Sequence, residues 1–162
     1  MRMKTYVVPA IIAALACFSA APAGAGADED AIKKIIQHQG SSIIKGDLAG
    51  IKSDFAEDGS ITDEVPPFYW HGSSMVDAWW ADLGKEMQEQ KMALVKAKIG
   101  SYRSLVVAGD SAYAVADVAL TVKQGDATLV EKGVWTFALA KRGSDWKIVA
   151  SDWGGSVPKP VK

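Results

Sequence analysis

Apolar residues along this chain change their spacing twice, and the changes divide it. Residues 29–45 place Ile32, Ile35, Ile36, Ile43 and Ile44 on one stripe with Gln39. A spacing near 3.6 predicts a one-faced amphipathic helix. Asp28 or Asp30 can cap its start, and Gly46 suits a left-handed stop. Asp47 opens a second, shorter helix with Leu48, Ile51 and Phe55 on its apolar side. His38 falls on the flank of the first stripe, as a boundary histidine rather than a ligand.

Between residues 55 and 80 the regular pattern stops. Residues 57–60 read as a turn, and a short extended piece begins at Ile61. Pro66 and Pro67 forbid helix, and residues 68–70 form a second extended run broken at His71-Gly72. Ser74-x-x-Asp77 resembles a capping box. It opens a third helix in which Val76, Trp79, Trp80, Leu83 and Met87 share a face, ending near Glu89.

From Lys91 onward the period is two. Val95, Ala97 and Ile99 alternate with Lys96 and Lys98, which predicts one buried and one wet face. Turns at 108–111, 125–126 and 142–145 separate this strand from three more, at 112–123, 129–141 and 146–153. The pattern predicts an α+β fold: a cone-shaped, curved antiparallel sheet of four long strands, plus short pieces, closed by three N-terminal helices. There are no internal repeats and no long linker. One domain over 28–155 is expected, followed by a flexible tail at 156–162 that begins to fray from Gly154.

Residues 1–27 carry a different signal. Arg2 and Lys4 precede an apolar run over 6–21, and Ala25-Gly26-Ala27 forms an A-x-A site before Asp28-Glu29-Asp30. This is the layout of a secretory signal peptide, too short for a comfortable span, so the expected location is periplasmic or secreted. The chain's single cysteine, Cys17, lies in this segment. The mature domain therefore has no disulfide and no cysteine-based metal site.

The charge balance narrows the partners. Of 162 residues, 18 are Lys or Arg and 19 are Asp or Glu, for a net charge of −1. The lysines are scattered and form no basic stripe, so no nucleic-acid partner is expected. No membrane contact is expected after signal cleavage. Asparagine is absent, which removes any N-glycosylation acceptor.

Candidate chemistry centres on carboxylates and aromatics. Asp63 is the best candidate for a general base, since a carboxylate at a partly apolar pocket mouth has its pKa raised toward a useful value. His71, after three aromatics, reads first as a structural or exposed histidine; the functional alternatives are an acid–base partner to Asp63 or a lining of the pocket wall. Asp117 interrupts an apolar strand; facing inward it is a second pocket acid, facing outward it pairs with a basic side chain across the sheet. Tyr69, Trp79, Trp135 and Trp153 are candidate walls of an aromatic-lined pocket, with Asp152 a weaker polar candidate. Two histidines do not make a metal site. No phosphate loop, nucleophile elbow or zinc motif occurs, so neither metal nor cofactor is expected.

The order of elements, the phrase Phe55-Ala56-Glu57-Asp58-Gly59-Ser60-Ile61-Thr62-Asp63 and the ending Trp135-Thr136-Phe137 with Gly143-Ser144-Asp145-Trp146-Lys147-Ile148 resemble the nuclear-transport-factor-2-like superfamily. The SnoaL-like and ketosteroid-isomerase-like branches are the nearest. The resemblance spans about 28–155 and implies the cone fold; the superfamily includes enzymes, oligomerisation modules and members without known activity. In the isomerase an aspartate base stands where Asp63 stands. Its oxyanion tyrosine falls at about Gln39, and its late-strand acid near Gly133–Val134, where no acid is present. Losing one oxyanion donor costs about 10²–10³ in rate, so steroid isomerisation is not expected.

Three readings follow. The first is an exported SnoaL-like domain binding a small hydrophobic molecule. The second is a cofactor-free isomerase, cyclase or dehydratase using Asp63 with His71 or Asp117. The third is a homodimeric interaction module using the apolar positions at Val95, 112–120 and 134–139.

Overall fold

The computed structural model describes residues 25–161. The signal-peptide segment therefore lies outside the described residues, Cys17 included, except for Ala25–Ala27, the first turn of the first helix. That helix, α1 (Ala25–Lys45), buries Ile32, Ile36 and Gln39 almost completely. Gly46 ends it at φ +68°, and Asp47 N donates to Ser42 O at 2.9 Å. The second helix, α2 (Leu48–Asp54), is capped by Asp47, whose Oδ1 accepts from Gly50 N at 2.9 Å. His38 Nδ1 lies 2.8 Å from Asp54 Oδ2 and ties α1 to α2.

Helical spacing predicts Phe55 on the apolar side of α2. It instead begins β1 (Phe55–Thr62), where it pairs with Ile148 and is 7% exposed. Pairing to a neighbouring strand outweighs one more helical residue. A tight reversal follows, with Phe68 N donating to Val65 O at 2.8 Å and Asp63 N to Phe68 O at 3.2 Å. The chain returns as β2 (Tyr69–His71) and enters α3 (Met75–Glu89). Ser74 is the N-cap of α3, but its side chain makes no capping bond, and Asp77 pairs instead with Lys52 of α2 at 2.7 Å. The capping box is thus not formed. Val76, Trp79 and Leu83 supply the buried face of α3.

Four long strands complete the chain: β3 (Met92–Ala108), β4 (Ser111–Gln124), β5 (Ala127–Arg142) and β6 (Asp145–Gly155). The sheet order is β2-β1-β6-β5-β4-β3, antiparallel except where β1 runs parallel to β6. The fold is α+β, as the residue pattern predicts. Strand pairing continues past Gly154. Gly154 and Gly155 pair with Val134 and Gly133, and β7 (Lys159–Pro160) pairs with Leu129 and Val130 of β5.

Bulges bend the sheet and set which side chains face the helices. The register of β3 on β4 shifts between Leu94 and Lys96, leaving Val95 as the extra residue. A bulge turns one residue out of phase, so Leu94, Ala97 and Ile99 face inward. Val95, expected inward, is 41% exposed. A second shift opposite Ala138 and Leu139 makes the extra residue on β6 Val149. Trp146 and Ile148 face inward before it, Ser151 and Trp153 after it.

The core lies between α1, α2 and the concave side of the sheet, where Ile32, Ile36, Ile51, Phe137, Leu139 and Ile148 are 0–1% exposed. At one end Asp28 Oδ1 accepts from Trp146 Nε1 at 2.9 Å, and Lys141 Nζ sits 3.0 Å away. The bond from Trp146, then that from Lys141, hold the Asp28 carboxyl below its ordinary pKa. Toward the other end, Gly133 of β5 faces Gly155 of β6. A Cβ on Gly133 would meet the Trp153 ring and approach the Gly154 carbonyl to 2.6 Å.

Overpacking against backbone typically costs about 1–3 kcal/mol, so Gly133→Ala is expected to lower urea-unfolding stability by about that amount. Gly84 of α3 is exposed, and a Cβ there would meet nothing within 4 Å. Gly84→Ala is expected to raise stability by up to about 1 kcal/mol through helix propensity. Equal effects at the two sites would contradict this account of Gly133.

Candidate functional site

The helices do not fill the cone. Between α1, α3 and the concave face of the sheet is a cavity of about 80 Å³, lined largely by apolar side chains such as Phe55, Ile61, Leu83, Val118 and Trp135. Thr62 and Glu64 are its exposed lining residues and mark the solvent side. An engineered cavity of about 150 Å³ admits benzene. The enclosed space here therefore takes only a few heavy atoms, and a larger ligand would extend past Thr62 and Glu64.

Asp63 reaches the cavity because it follows β1 directly and its N–H is tied across the proline reversal to Phe68. Trp79 Nε1 of α3 donates to Asp63 Oδ2 at 2.8 Å. Burial raises the pKa of Asp63. Bonds from Trp79 and from the Glu64 and Val65 amides pull it back in part, and the charge of Asp152 adds to the rise. A carboxylate held by donors yet removed from water is a workable proton acceptor.

A second acid, which the residue pattern did not single out, lies on β5. Glu131 is 5% exposed and lines the cavity. Burial, followed by the charge of Glu64 and a hydrogen bond to it, pushes its pKa up to about 7, while Trp153 Nε1, 3.2 Å from Oε1, opposes the rise. Glu64 is raised in turn, by burial first and then by the charge of Asp63. Space for this acid depends on Gly155, where a Cβ would collide with Glu131 Oε1. The expectation of no acid near Gly133–Val134 is therefore corrected: Glu131 is two residues earlier. Its signal was available, because Glu131, Trp135, Phe137 and Leu139 share the buried alternation of β5.

Asp63, Trp79, Trp135 and Trp153 all line the cavity. Trp135 Nε1 donates to Ser151 Oγ at 2.8 Å, which orients its ring. Tyr69 and His71 do not line it. They flank the buried Trp70 on β2, so strand alternation turns both outward, where their rings stack with centroids 5.4 Å apart. Asp117 also points away. It lies on the outer face of β4, where Arg103 Nε at 2.7 Å and Ser101 Oγ at 3.1 Å hold its pKa down. Asp152 is exposed, because the Val149 bulge gives the inward positions to Ser151 and Trp153. The structure thus separates Asp63 from both expected partners and groups it with Glu64 and Glu131.

Gln39, the residue at the position of the isomerase tyrosine, does reach the cavity. It is 1% exposed and its Oε1 has no hydrogen-bond partner. Among the described residues, no group of three or more His, Cys, Asp and Glu is arranged to hold a metal ion. No described helix is long and apolar enough to cross a membrane.

This helix-closed cone is a nuclear-transport-factor-2-like fold. The chain belongs to the SnoaL-like family, whose domain model matches residues 32–159. Among solved structures it is similar to hexachlorocyclohexane dehydrochlorinase LinA-type3 from Novosphingobium barchaimii LL02, at 16% identity and TM-score 0.68, covering 83% of this chain and 90% of that one. A scytalone dehydratase candidate from Novosphingobium aromaticivorans DSM 12444 is 11% identical with TM-score 0.68, over 84% and 89%. A protein of unknown function from Mycobacterium tuberculosis is 15% identical with TM-score 0.68, over 81% and 77%. At these identities the likeness is one of fold. No curated protein sequence matches the chain.

The raised carboxyls give stability a definite pH dependence. Glu131 titrates at about 7 in the folded chain and near 4.5 when unfolded, so the folded state holds an extra proton between those values. Stability therefore falls as pH rises through that window and levels above it. One pKa unit is worth about 1.4 kcal/mol, which puts the loss on the order of 2 kcal/mol once coupling to Glu64 is allowed for. The melting temperature of the wild type is expected to drop by several degrees from pH 5 to pH 8. Glu131→Gln should flatten most of that slope; an unchanged slope in the variant would refute this assignment.

Proposed function

We propose that this protein is an exported binding domain that takes a small, mainly apolar molecule into its cone, with the polar end of the ligand against Asp63 and Glu131. One observation carries this reading: a buried carboxyl group, Glu131, and a half-buried one, Asp63, share the wall of an otherwise apolar cavity. A core without a ligand would be more stable with apolar residues at these positions. The signal-peptide pattern of residues 1–27 supports export.

A second reading has its own support. Glu131, pushed up to about 7, keeps a protonated fraction near neutral pH that can donate, while Asp63, oriented by Trp79, can accept, so the cavity holds both partners of a proton transfer. That pair suits a cofactor-free isomerisation, cyclisation or elimination. The fold relatives described as a dehydrochlorinase and a dehydratase candidate are consistent with the last. Glu131 also supplies the late-strand acid whose absence spoke against enolisation.

Native mass spectrometry of the protein purified from periplasm tests the first reading and reports oligomeric state in the same spectrum. A non-covalent small-molecule adduct is expected, lost when Leu83→Trp fills the cavity. An adduct retained in that variant would place the ligand elsewhere, and no adduct on either form would remove the reading. For the second, the protein is held in D₂O and the ligand recovered. Deuterium should appear in it, and Asp63→Asn should slow incorporation by about 10²-fold or more. Equal incorporation in the variant would exclude Asp63 as the base.

A further inference from the structure

The polar groups of the cavity are strongly one-sided. Its lining contains Asp63, Glu64 and Glu131 and, among the described residues, no Lys, Arg or His. Three indoles line it as well, but their N–H groups are already used: Trp79 on Asp63, Trp153 on Glu131 and Trp135 on Ser151. The rings remain available as apolar, electron-rich surfaces. Gln39 of α1, 1% exposed and also lining the cavity, keeps an unpartnered carbonyl oxygen. An ionised carboxylate accepts up to about four hydrogen bonds, so the wall has more acceptors than donors.

We propose that the cavity recognises a small organic cation: an aliphatic ammonium whose carbons lie against Trp79, Trp135 and Trp153 and whose N–H groups reach Asp63, Glu131 and Gln39. This rests on the reading of the cavity as a ligand site and names the class of ligand. Tryptophan faces attract ammonium groups more strongly once these are desolvated. A cation also relieves the repulsion that Asp63, Glu64 and Glu131 exert on one another. A neutral ligand of the same shape leaves that repulsion in place, and an anion adds to it. The enclosed 80 Å³ suits an alkyl group of about four carbons by comparison with benzene-sized cavities.

Linkage gives the ammonium a pH signature. The groups facing Glu131 are Glu64 and Asp63 from the β1–β2 connection, Trp153 from β6 and the apolar Leu120 from β4. Gln39 is the polar lining residue of α1. Asp152 of β6 is exposed, as is Lys132 of β5, whose alternation turns it to the outer side. Bound ammonium favours the ionised acids, so binding releases protons and weakens as pH falls below the value of about 7 for Glu131.

The test uses the mature protein and three probes with one carbon skeleton: isobutylammonium, isobutanol and isovalerate. Binding is read from the indole N–H signals of Trp79 and Trp153 in ¹H–¹⁵N spectra. At pH 8, isobutylammonium is expected to bind at least ten-fold more tightly than isobutanol, with isovalerate weakest. Its affinity should fall about ten-fold by pH 5.5 while that of isobutanol stays constant. Glu131→Gln should bring the two probes to within about three-fold, and its isobutanol binding shows that the cavity is intact. Isobutanol binding as tightly as the cation overturns the ammonium proposal but leaves the small-molecule reading standing. A preference for isovalerate overturns it in the same way. No response to any probe overturns the cavity reading and the proposal together.

Discussion

A carboxyl group taken out of water is costly unless donors or a counter-charge meet it, and this cone holds one such group, Glu131, beside the half-buried Asp63 on an apolar wall. Much of the local structure answers that constraint. Trp79 and Trp153 turn their N–H groups onto Asp63 and Glu131. The proline reversal after β1 fixes the backbone of Asp63, and the facing pair Gly133–Gly155 leaves room for the Trp153 ring and the Glu131 carboxyl. None of these supports contributes a positive charge. The remaining electrostatic cost is therefore left for a proton or a ligand to meet.

Acids outside the cavity are handled in the opposite way. Asp28 is held by Trp146 and Lys141, Asp117 by Arg103 and Ser101, and both have lowered pKa values. Those pairs join α1 to the β5–β6 hairpin and link β3 to β4. Asp63 is met by the Trp79 indole and two backbone amides, and Glu131 by the Trp153 indole and the Glu64 carboxyl; these orient the carboxyls without bringing a positive charge. Asp28 and Asp117 each have a basic side chain within reach; the cavity acids do not.

The plan of the fold was legible in the residue pattern because it rests on periodicity. The isoleucine stripe of α1 and the alternation of β5 each survive in three dimensions. What failed were single residues at points where the period breaks. Val95 and Asp152 were misplaced because bulges at Val95 and Val149 shift the phase of their strands, and a bulge leaves little trace in composition. Phe55 continued a helical spacing, yet pairing with β6 claimed it. His71 is the exposed histidine that its place in the sequence favours over a partner for Asp63, and the buried Trp70 between Tyr69 and His71 turns both outward. Glu131 was overlooked because a charged residue in a strand reads as solvent-facing. Only the run Trp135, Phe137, Leu139 carried backwards by twos places it inside.

The buried acids also bear on how the sequence can change over time. Selection for folding alone would favour apolar replacements at Glu131 and tolerate them at Asp63, since each change removes a desolvated charge. The same selection would hold Phe137 and Ile148 in place. Drift without function would therefore empty the cavity of its polar groups long before it disturbed the cone around them. Among orthologues, acids persisting at these two positions would record a selective demand separate from the one that maintains the fold.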